Sequence, residues 1–469
     1  MNNIFNKISI ALLTGATIFS GCSKNFLEKS PNSSLSPVVA LGTVSALQTA
    51  LNGDYARLRS VSLFGRDIPV SGDLLADNAF VETKNSGRYL PQFNYSVINT
   101  DGIAFDIWNA GYNAILDANN IIDATVTGAD AIKAQAYAIR GLMYFKLINV
   151  FAKPYTDDPT AMGVPLVLHY NPYNYPARSS VKDIYMQVIS DLQLGFKSAP
   201  AYTNSITLSK YAIEGLLAKA YFYMGDYTNA KIAAVDVINN SGFTLVTPGI
   251  FNAFWSNPAA HADKVEVLYE VDADAINNNG FDDIAGIYIN GYQDIYTSSQ
   301  LYNLYSATDI RRTLYINGKT KSGSFAFLVN KYPNAQGNDR DNIKVIRLSE
   351  VYLIAAECSV TSLQSDALKY VNYLVSKRDP SFVGYNDAGA ALLNDIVQER
   401  RKELAFEGDR LYDLNRLKLP VVRVANSGSI PAGTANVNLT IPYPDNRRVY
   451  PIPLTEILAN KNVVQNPGY

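Results

Sequence analysis

The chain has 469 residues, 48% hydrophobic and 17% charged, which is enough apolar material for a sizeable core and too much for a disordered chain. Its 40 basic and 42 acidic side chains give a net charge of −2, so a basic surface for nucleic acid is excluded as an organising feature. Tyr (32) outnumbers Phe (19) although Phe is the more readily buried, and the excess points to a contact surface.

Lys7 precedes an apolar run over residues 8–19 that is too short to span a bilayer and is followed by small residues, the pattern of a secretory leader. Phe19-Ser20-Gly21-Cys22 resembles a bacterial lipoprotein box, with Phe19 where Leu is usual. Cleavage is therefore expected after Gly21, with lipid attachment at Cys22 and a net charge of about −3 on what remains. Two or more acyl chains give stable anchoring without a spanning helix. Residues 22–39, rich in Ser, Pro and Asn, suit a tether. With Cys22 lipidated no disulfide can form, and Cys358 reads as a buried small hydrophobe on an apolar helix.

The folded domain is expected over residues 40–469. A first helix is predicted at 44–59, whereas 64–99 lacks helical period, contains Gly72, Gly87 and Pro91, and reads as loops and short strands. Trp108, Tyr112, Ile115, Ala118, Ile121 and Ile122 then mark a helix at 105–124. Ala134, Ala138, Gly141, Leu142 and Phe145 mark its partner at 130–151. Because Trp108 keeps the helical period, it is assigned to packing. Residues 155–177, punctuated by prolines, form a long surface connection to a helix at 181–197.

Residues 209–240 carry the strongest local signal. Leu216, Leu217, Ala220, Tyr221 and Met224, then Ala230, Ala233, Ala234, Val237 and Ile238, recur at helical spacing around a turn at Gly225-Asp226. Leu217, Ala218, Tyr221, Gly225, Tyr227 and Ala230 fall at tetratricopeptide spacing, in which small residues let two helices approach. One such hairpin cannot bury its own apolar face, so further helix pairs must stack on it.

The pattern breaks over about 241–346. A strand is predicted at 265–271, a Gly/Asn/Asp/Tyr-rich tract at 277–299, and a hairpin at 315–330 turning at Ser322-Gly323, together an inserted, loop-rich subdomain. Helical period returns at 347–362, 366–377 and 388–407 and continues over 409–418, before a Pro-rich tail that is expected to wrap in extended form.

Several blocks together resemble the SusD/RagB family: WNAGYNAILDANNII (108–122), AYAIRGLMYFKL (136–147), RLSEVYLIAAE (347–357), ERRKELAFEGDRLYDLNR (399–416) and the closing QNPGY (465–469). With the lipobox, the resemblance spans essentially the whole mature chain. It implies a mainly α fold, a tetratricopeptide-like scaffold of about four helix pairs with an inserted loop-rich subdomain containing short strands. It also implies an outer-membrane, cell-surface lipoprotein of Bacteroidetes that binds nutrients, usually glycans, and catalyses nothing. The implied partner is a SusC-like TonB-dependent transporter, with contact to the membrane only through the lipid and none to nucleic acid. A peptide-binding protein of the same uptake system is the alternative, since peptides engage the same residue types.

The rival classes find less support in the residues. His169 and His261 stand in separate loops without a third ligand in register, so neither a zinc site nor a His-based triad is predicted. Gly318-Lys319-Thr320 echoes a phosphate loop, but Thr313 stands where its first glycine is required. No pair of carboxylates stands out for glycoside hydrolysis. Asp272, Asp274, Asn277, Asn279, Asp282 and Asp283 are the alternative for a structural calcium; their spacing fails the twelve-residue loop because Ile276 and Asn277 fall where a ligand and Gly are expected, so no cofactor is predicted. Glu399, Arg400, Arg401, Glu403, Glu407 and Arg410 read as exposed helical ion pairs that serve the scaffold. Arg410, Asp413 and Arg416 are expected to bridge that helix to the tail, and Arg347 and Glu350 are read as structural in the same way.

A protein-interaction scaffold is the third class, and the position of the tyrosines argues against it. They concentrate outside the repeat helices, in 89–95, 155–175 and 288–305, as expected of loops that present a ligand surface. Tyrosine offers sugar a flat apolar face with a polar tip, and Arg and Asn donate to hydroxyls. The candidate ligand contacts are Asp77, Asn78, Arg88, Tyr89, Tyr95, Tyr288, Tyr292 and Tyr296, on two tracts that must come together.

Overall fold

The computed structural model describes residues 41–82, 84–335, 340–424 and 440–469; Cys22, the lipobox and the tether lie outside them. Helix α1 (Val44–Leu58) opens on Thr43, whose hydroxyl accepts from the Ala46 N–H. The expected pair follows as α3 (Gly102–Asp123), capped by Asp101, and α4 (Asp130–Phe151). Helix α5 (Val181–Ser198) starts on Ser180. The hairpin is α6 (Lys210–Met224) and α7 (Tyr227–Asn240), with Asp226 capping the second helix and Ala230 fully buried between them. Next come α8 (Leu348–Ser359), α9 (Gln364–Ser376), α10 (Gly389–Leu404) and α11 (Arg410–Arg416).

Packing follows the chain: α1 on α3, α3 on α4, α4 on α5, α5 on α6, α6 on α7. Helix α7 then packs directly on α8 although more than a hundred residues separate them, so the helical stack is continuous across the insertion. The insertion leaves and returns through strands β4 (Val267–Val271) and β8 (Ile343–Arg347), antiparallel neighbours with Val267 opposite Arg347. β8 runs straight into α8.

The 64–99 segment departs from the expected loops. Residues Asp67–Leu74 form α2, every residue of which is buried. A helix buried on all sides has no amphipathic period to betray it. Gly72 explains its close seating, because a Cβ there would stand 2.0 Å from the Gly408 carbonyl oxygen. The segment continues into β1 (Ala79–Val81). Strands β2 (Met162–Pro165) and β3 (Arg178–Ser180) pair within the proline-rich connection. In the insertion, β5 (Ile295–Thr297) joins a sheet of order β1-β5-β7-β6, where β6 (Tyr315–Lys319) and β7 (Phe325–Val329) form the expected hairpin. The described part of the tail is not wholly extended, since Leu454–Ala459 is helical.

The charged motif on α10 is buried rather than exposed. Glu399, Arg400 and Glu403 are 0%, 1% and 3% accessible, and their partners come from remote elements. Glu403 accepts from Arg347 (2.9 Å), Arg378 (3.0 Å) and Arg311 (3.2 Å). Burial alone would raise its carboxyl, but those three guanidiniums hold it well below the ordinary carboxylate range. Arg400 ties Glu350 (2.7 Å) to Asp413 (2.8 Å), while Arg416 reaches Glu357 (2.6 Å). These residues therefore bridge α8, α10 and α11 and not the tail, where Arg448 bonds Asn415 (2.8 Å) instead. Cys358 is buried as expected, and burial raises its thiol pKa.

Candidate ligand-binding surface

Backbone pairing brings the two candidate tracts together. β1 runs antiparallel to β5, with Phe80 opposite Tyr296 and Val81 opposite Ile295. The anticipated accessible tyrosine platform is a different matter, because most of its members are core. Tyr89 is 1% accessible, donates to Asp67 and accepts from Arg66 Nε (2.9 Å). Burial, reinforced by the Asp67 charge, pushes its phenol well up, so it stays protonated as the donor. Tyr95 is buried and donates to the Leu75 carbonyl. Tyr288 lies between Tyr332 and Phe406, and Tyr296 stacks on Phe80 at 5.7 Å, fully buried.

Asp77 and Asn78 are buried too. Arg410 grips Asp77 at 2.8 and 3.0 Å, and Arg401 donates to Asn78 Oδ1 (2.9 Å). The physical reason is α2. Tyr89 and Tyr95 cover that helix and place their hydroxyls on Asp67 at its start and on the Leu75 carbonyl at its end, while Tyr288 and Tyr296 pack against other aromatic rings. In the middle tract Tyr170, Tyr173 and Tyr175 are exposed, whereas Tyr155 is half-buried against Tyr185.

Arg88 and Tyr292 do reach the surface. The Arg88 guanidinium lies 3.5 Å from the centroid of the Tyr292 ring, and Phe281 meets the same ring edge-on at 5.2 Å. Phe281 is 61% accessible. Arg88 donates to Ser86 Oγ (3.0 Å) and faces Asp282 at 3.6 Å, beyond hydrogen-bond range, so part of its donor fork stays open. Asp282 is itself held by Arg66 at 3.1 Å. Beneath them Asp294 anchors both tracts, accepting from the Ser86 N–H (3.1 Å) and from Lys321 (2.8 Å).

The loop that presents Phe281 and Tyr292 folds tightly on itself. A Cβ at Gly286 would lie 2.2 Å from the Phe281 carbonyl oxygen, and one at Gly291 would lie 2.9 Å from the Gly286 oxygen. Tyr89 and Gln293, next in sequence to Arg88 and Tyr292, have φ of 59° and 48°, so left-handed backbone adjoins both members of the pair. Each such residue costs on the order of 1–3 kcal/mol and persists only where its surroundings dictate it.

The acidic tract considered for calcium disperses. Asp283 pairs with Arg59 (2.5 Å), Asp282 with Arg66, Asp274 accepts from the Ile276 and Asn277 N–H groups, and Asn279 donates to the Arg59 carbonyl. Among the described residues no three His, Cys, Asp or Glu side chains converge as a metal-holding group. Phe281 was absent from the sequence candidates. Its signal was the run Asn277-Asn278-Asn279-Gly280, which sets a large apolar side chain on a turn. Chemically the surface offers the exposed Phe281 ring, the Tyr292 ring with Arg88 laid over it, guanidinium donors that are partly open and a carboxylate, an arrangement suited to sugar C–H faces and hydroxyls.

Comparison with known proteins bears on the whole chain. A model described as the SusD family matches residues 289–469, and one described as "Starch-binding associating with outer membrane" matches 25–222. SusD-like protein P2 of Formosa agariphila is 28% identical, with 99% of this chain and all of the relative covered. A SusD superfamily structure from Bacteroides thetaiotaomicron superposes with a TM-score of 0.84 at 28% identity over 91% of this chain and 100% of that one. A Bacteroides vulgatus structure, provisionally described as a sugar binding protein, superposes with a TM-score of 0.81 at 28% identity, covering 91% of this chain and 99% of its own. Among the described residues no helix is long and apolar enough to cross a membrane.

Proposed function

This chain belongs to the SusD/RagB family, and from that premise we propose that it captures oligosaccharide at the cell surface and delivers it to a SusC-like TonB-dependent transporter. The observation that carries the ligand class is the Phe281–Tyr292–Arg88 cluster, in which an exposed Phe281 meets a half-buried Tyr292 and a guanidinium with part of its donor fork open. Asp282 stands at its edge as an acceptor. The role is binding without chemistry. The family and the sugar-related descriptions of its matches support this choice over a peptide ligand.

A glycan array on the soluble protein, begun at Ser23 or later, followed by calorimetric titration of whatever binds, tests the proposal. Tyr292→Ala and Arg88→Ala should each weaken binding by about 1–3 kcal/mol, the scale of a lost stacking face or a lost hydrogen bond to a charged group. Affinity for peptides without affinity for any glycan would replace the ligand class. Anchoring through Cys22 belongs to the same proposal. Cys22→Ser should move the protein from the membrane to the soluble fraction of cells lacking the transporter, and retention in the membrane would refute lipid anchoring.

A further inference from the structure

We propose that the inserted subdomain carries a second saccharide-binding cleft, walled by Trp255 and distinct from the Arg88–Tyr292 surface. A cavity of about 350 Å³ opens between the helix Phe251–Ser256 and the residues flanking the β6–β7 hairpin. Its lining side chains include Asn252, Ser256, Thr313 and Asn330, with Trp255 and Pro333 as apolar walls, and none of them is charged. The charges nearest Trp255 lie against its ring. Lys331, Lys344 and Arg347 lie 4.6, 5.1 and 5.2 Å from its ring, all buried and paired with Glu407, Glu270 and Glu266. They fix the indole plane and are committed to their carboxylates, so an acidic ligand finds no free cation here.

Hydrogen-bonding capacity at the cleft is open. The Thr313 hydroxyl has one proton but two acceptors in range, Asn252 Oδ1 (2.5 Å) and the Ile310 carbonyl (2.7 Å), so it donates to only one of them at a time. The Ser256 hydroxyl has only a long contact to the Ala253 carbonyl (3.4 Å). Trp255 is 3% accessible, yet its indole N–H has no partner among the described residues. Buried donors are ordinarily satisfied, so this unpaired N–H, closed to solvent as it stands, meets an acceptor only when the wall around it shifts. Uncharged amides and hydroxyls beside an indole fit a neutral, hydroxyl-bearing ring. The ligand class rests on the carbohydrate proposal above.

Because the chain has two tryptophans and Trp108 packs against Phe151 in the helical stack, Trp255 is a built-in reporter. Maltohexaose, cellohexaose and xylohexaose are titrated in turn while tryptophan emission is followed, with an oligogalacturonate as acidic control. The expected result is a saturable emission change with a neutral oligosaccharide, absent in Trp255→Phe and shifted at least tenfold to higher concentration in Asn252→Ala and Asn330→Ala. That change should persist in Tyr292→Ala. Binding that is lost in Tyr292→Ala and gives no emission change would overturn the second cleft and leave the first surface standing. An emission change that survives in Trp255→Phe, or one seen only with the oligogalacturonate, would likewise overturn it. No binding of any kind to the neutral sugars would overturn both proposals.

Discussion

Arg347, Arg378 and Arg311 converge on Glu403 in the interior, whereas Arg88 lies over Tyr292 at the surface with part of its fork open. Both regions join guanidinium groups to acidic and aromatic partners. In the interior Arg347 also meets Glu266 and Glu407, and Arg378 donates to the Val246 carbonyl, so charge is matched on several sides. Desolvating such charges is expensive unless each finds partners, which ties α8, α10 and the insertion into one arrangement. At the surface the same side chain keeps water contact, contributes little to the fold, and retains the freedom to bind. Accessibility, more than residue type, separates scaffold from site here.

The largest expected effect breaks the interior lattice. Glu403→Ala leaves three buried guanidiniums without their common carboxylate and should cost about 3–5 kcal/mol. Denaturant unfolding of the variant checks this, and a loss below 1 kcal/mol would mean that water or rearrangement compensates. Glu403→Gln should fall between the two, since it keeps the shape and loses the charge.

A smaller effect comes from Asp77, which pairs with Arg410 and Arg401 in the interior. Burial raises its carboxyl, but Arg410 and Arg401 outweigh burial and hold it at about 2 against an ordinary 3.8. A folded-state pKa below the unfolded one stabilises fully above the unfolded value and is lost as pH falls from about 4 toward 2. The contribution is on the order of 2 kcal/mol. Asp77→Asn should therefore be less stable than wild type at pH 6 and converge on it by pH 2–3 in urea melts. Curves that stay parallel down to pH 2 would show that Asp77 is not held ionised by its arginines.

This contrast also shows what the amino-acid sequence reveals. The helical scaffold was legible because α3 and α7 bury one face and keep its period, while α4 and α6, buried on most sides, are long runs of good helix formers, and the sequence blocks at 347–357 and 399–416 belong to it. Those charged blocks misled in one respect: spacing three and four apart looks the same on an exposed helix and in a buried lattice, and only tertiary partners such as Arg378 and Glu266 distinguish them. Helix α2 was missed because full burial erases amphipathic period and its eight residues, with Pro69 and Gly72 among them, lack the length and composition that mark α4 and α6. The juxtaposition of 77–95 with 288–296 was legible from composition, yet Tyr89, Tyr288 and Tyr296 went inward. Tyrosine's dual character fits either environment, so its identity alone could not settle the matter.

The finest test asks whether Arg88 and Tyr292 act as one unit. Each single alanine variant should change folding stability by no more than about 0.5 kcal/mol, because both side chains are partly exposed and neither belongs to the interior lattice. Binding of the oligosaccharide identified by the array should suffer more. A guanidinium laid 3.5 Å from the ring centroid is fixed in orientation by that ring, so removing Tyr292 also misplaces the donors of Arg88. The double variant should then lose less affinity than the two single losses added together, with a coupling of about 0.5–1 kcal/mol, the range for an exposed cation–π pair. A coupling indistinguishable from zero would mean that the ligand meets the two side chains independently. Melting losses that track the affinity losses would place both residues with the scaffold, alongside Tyr89 and Tyr296.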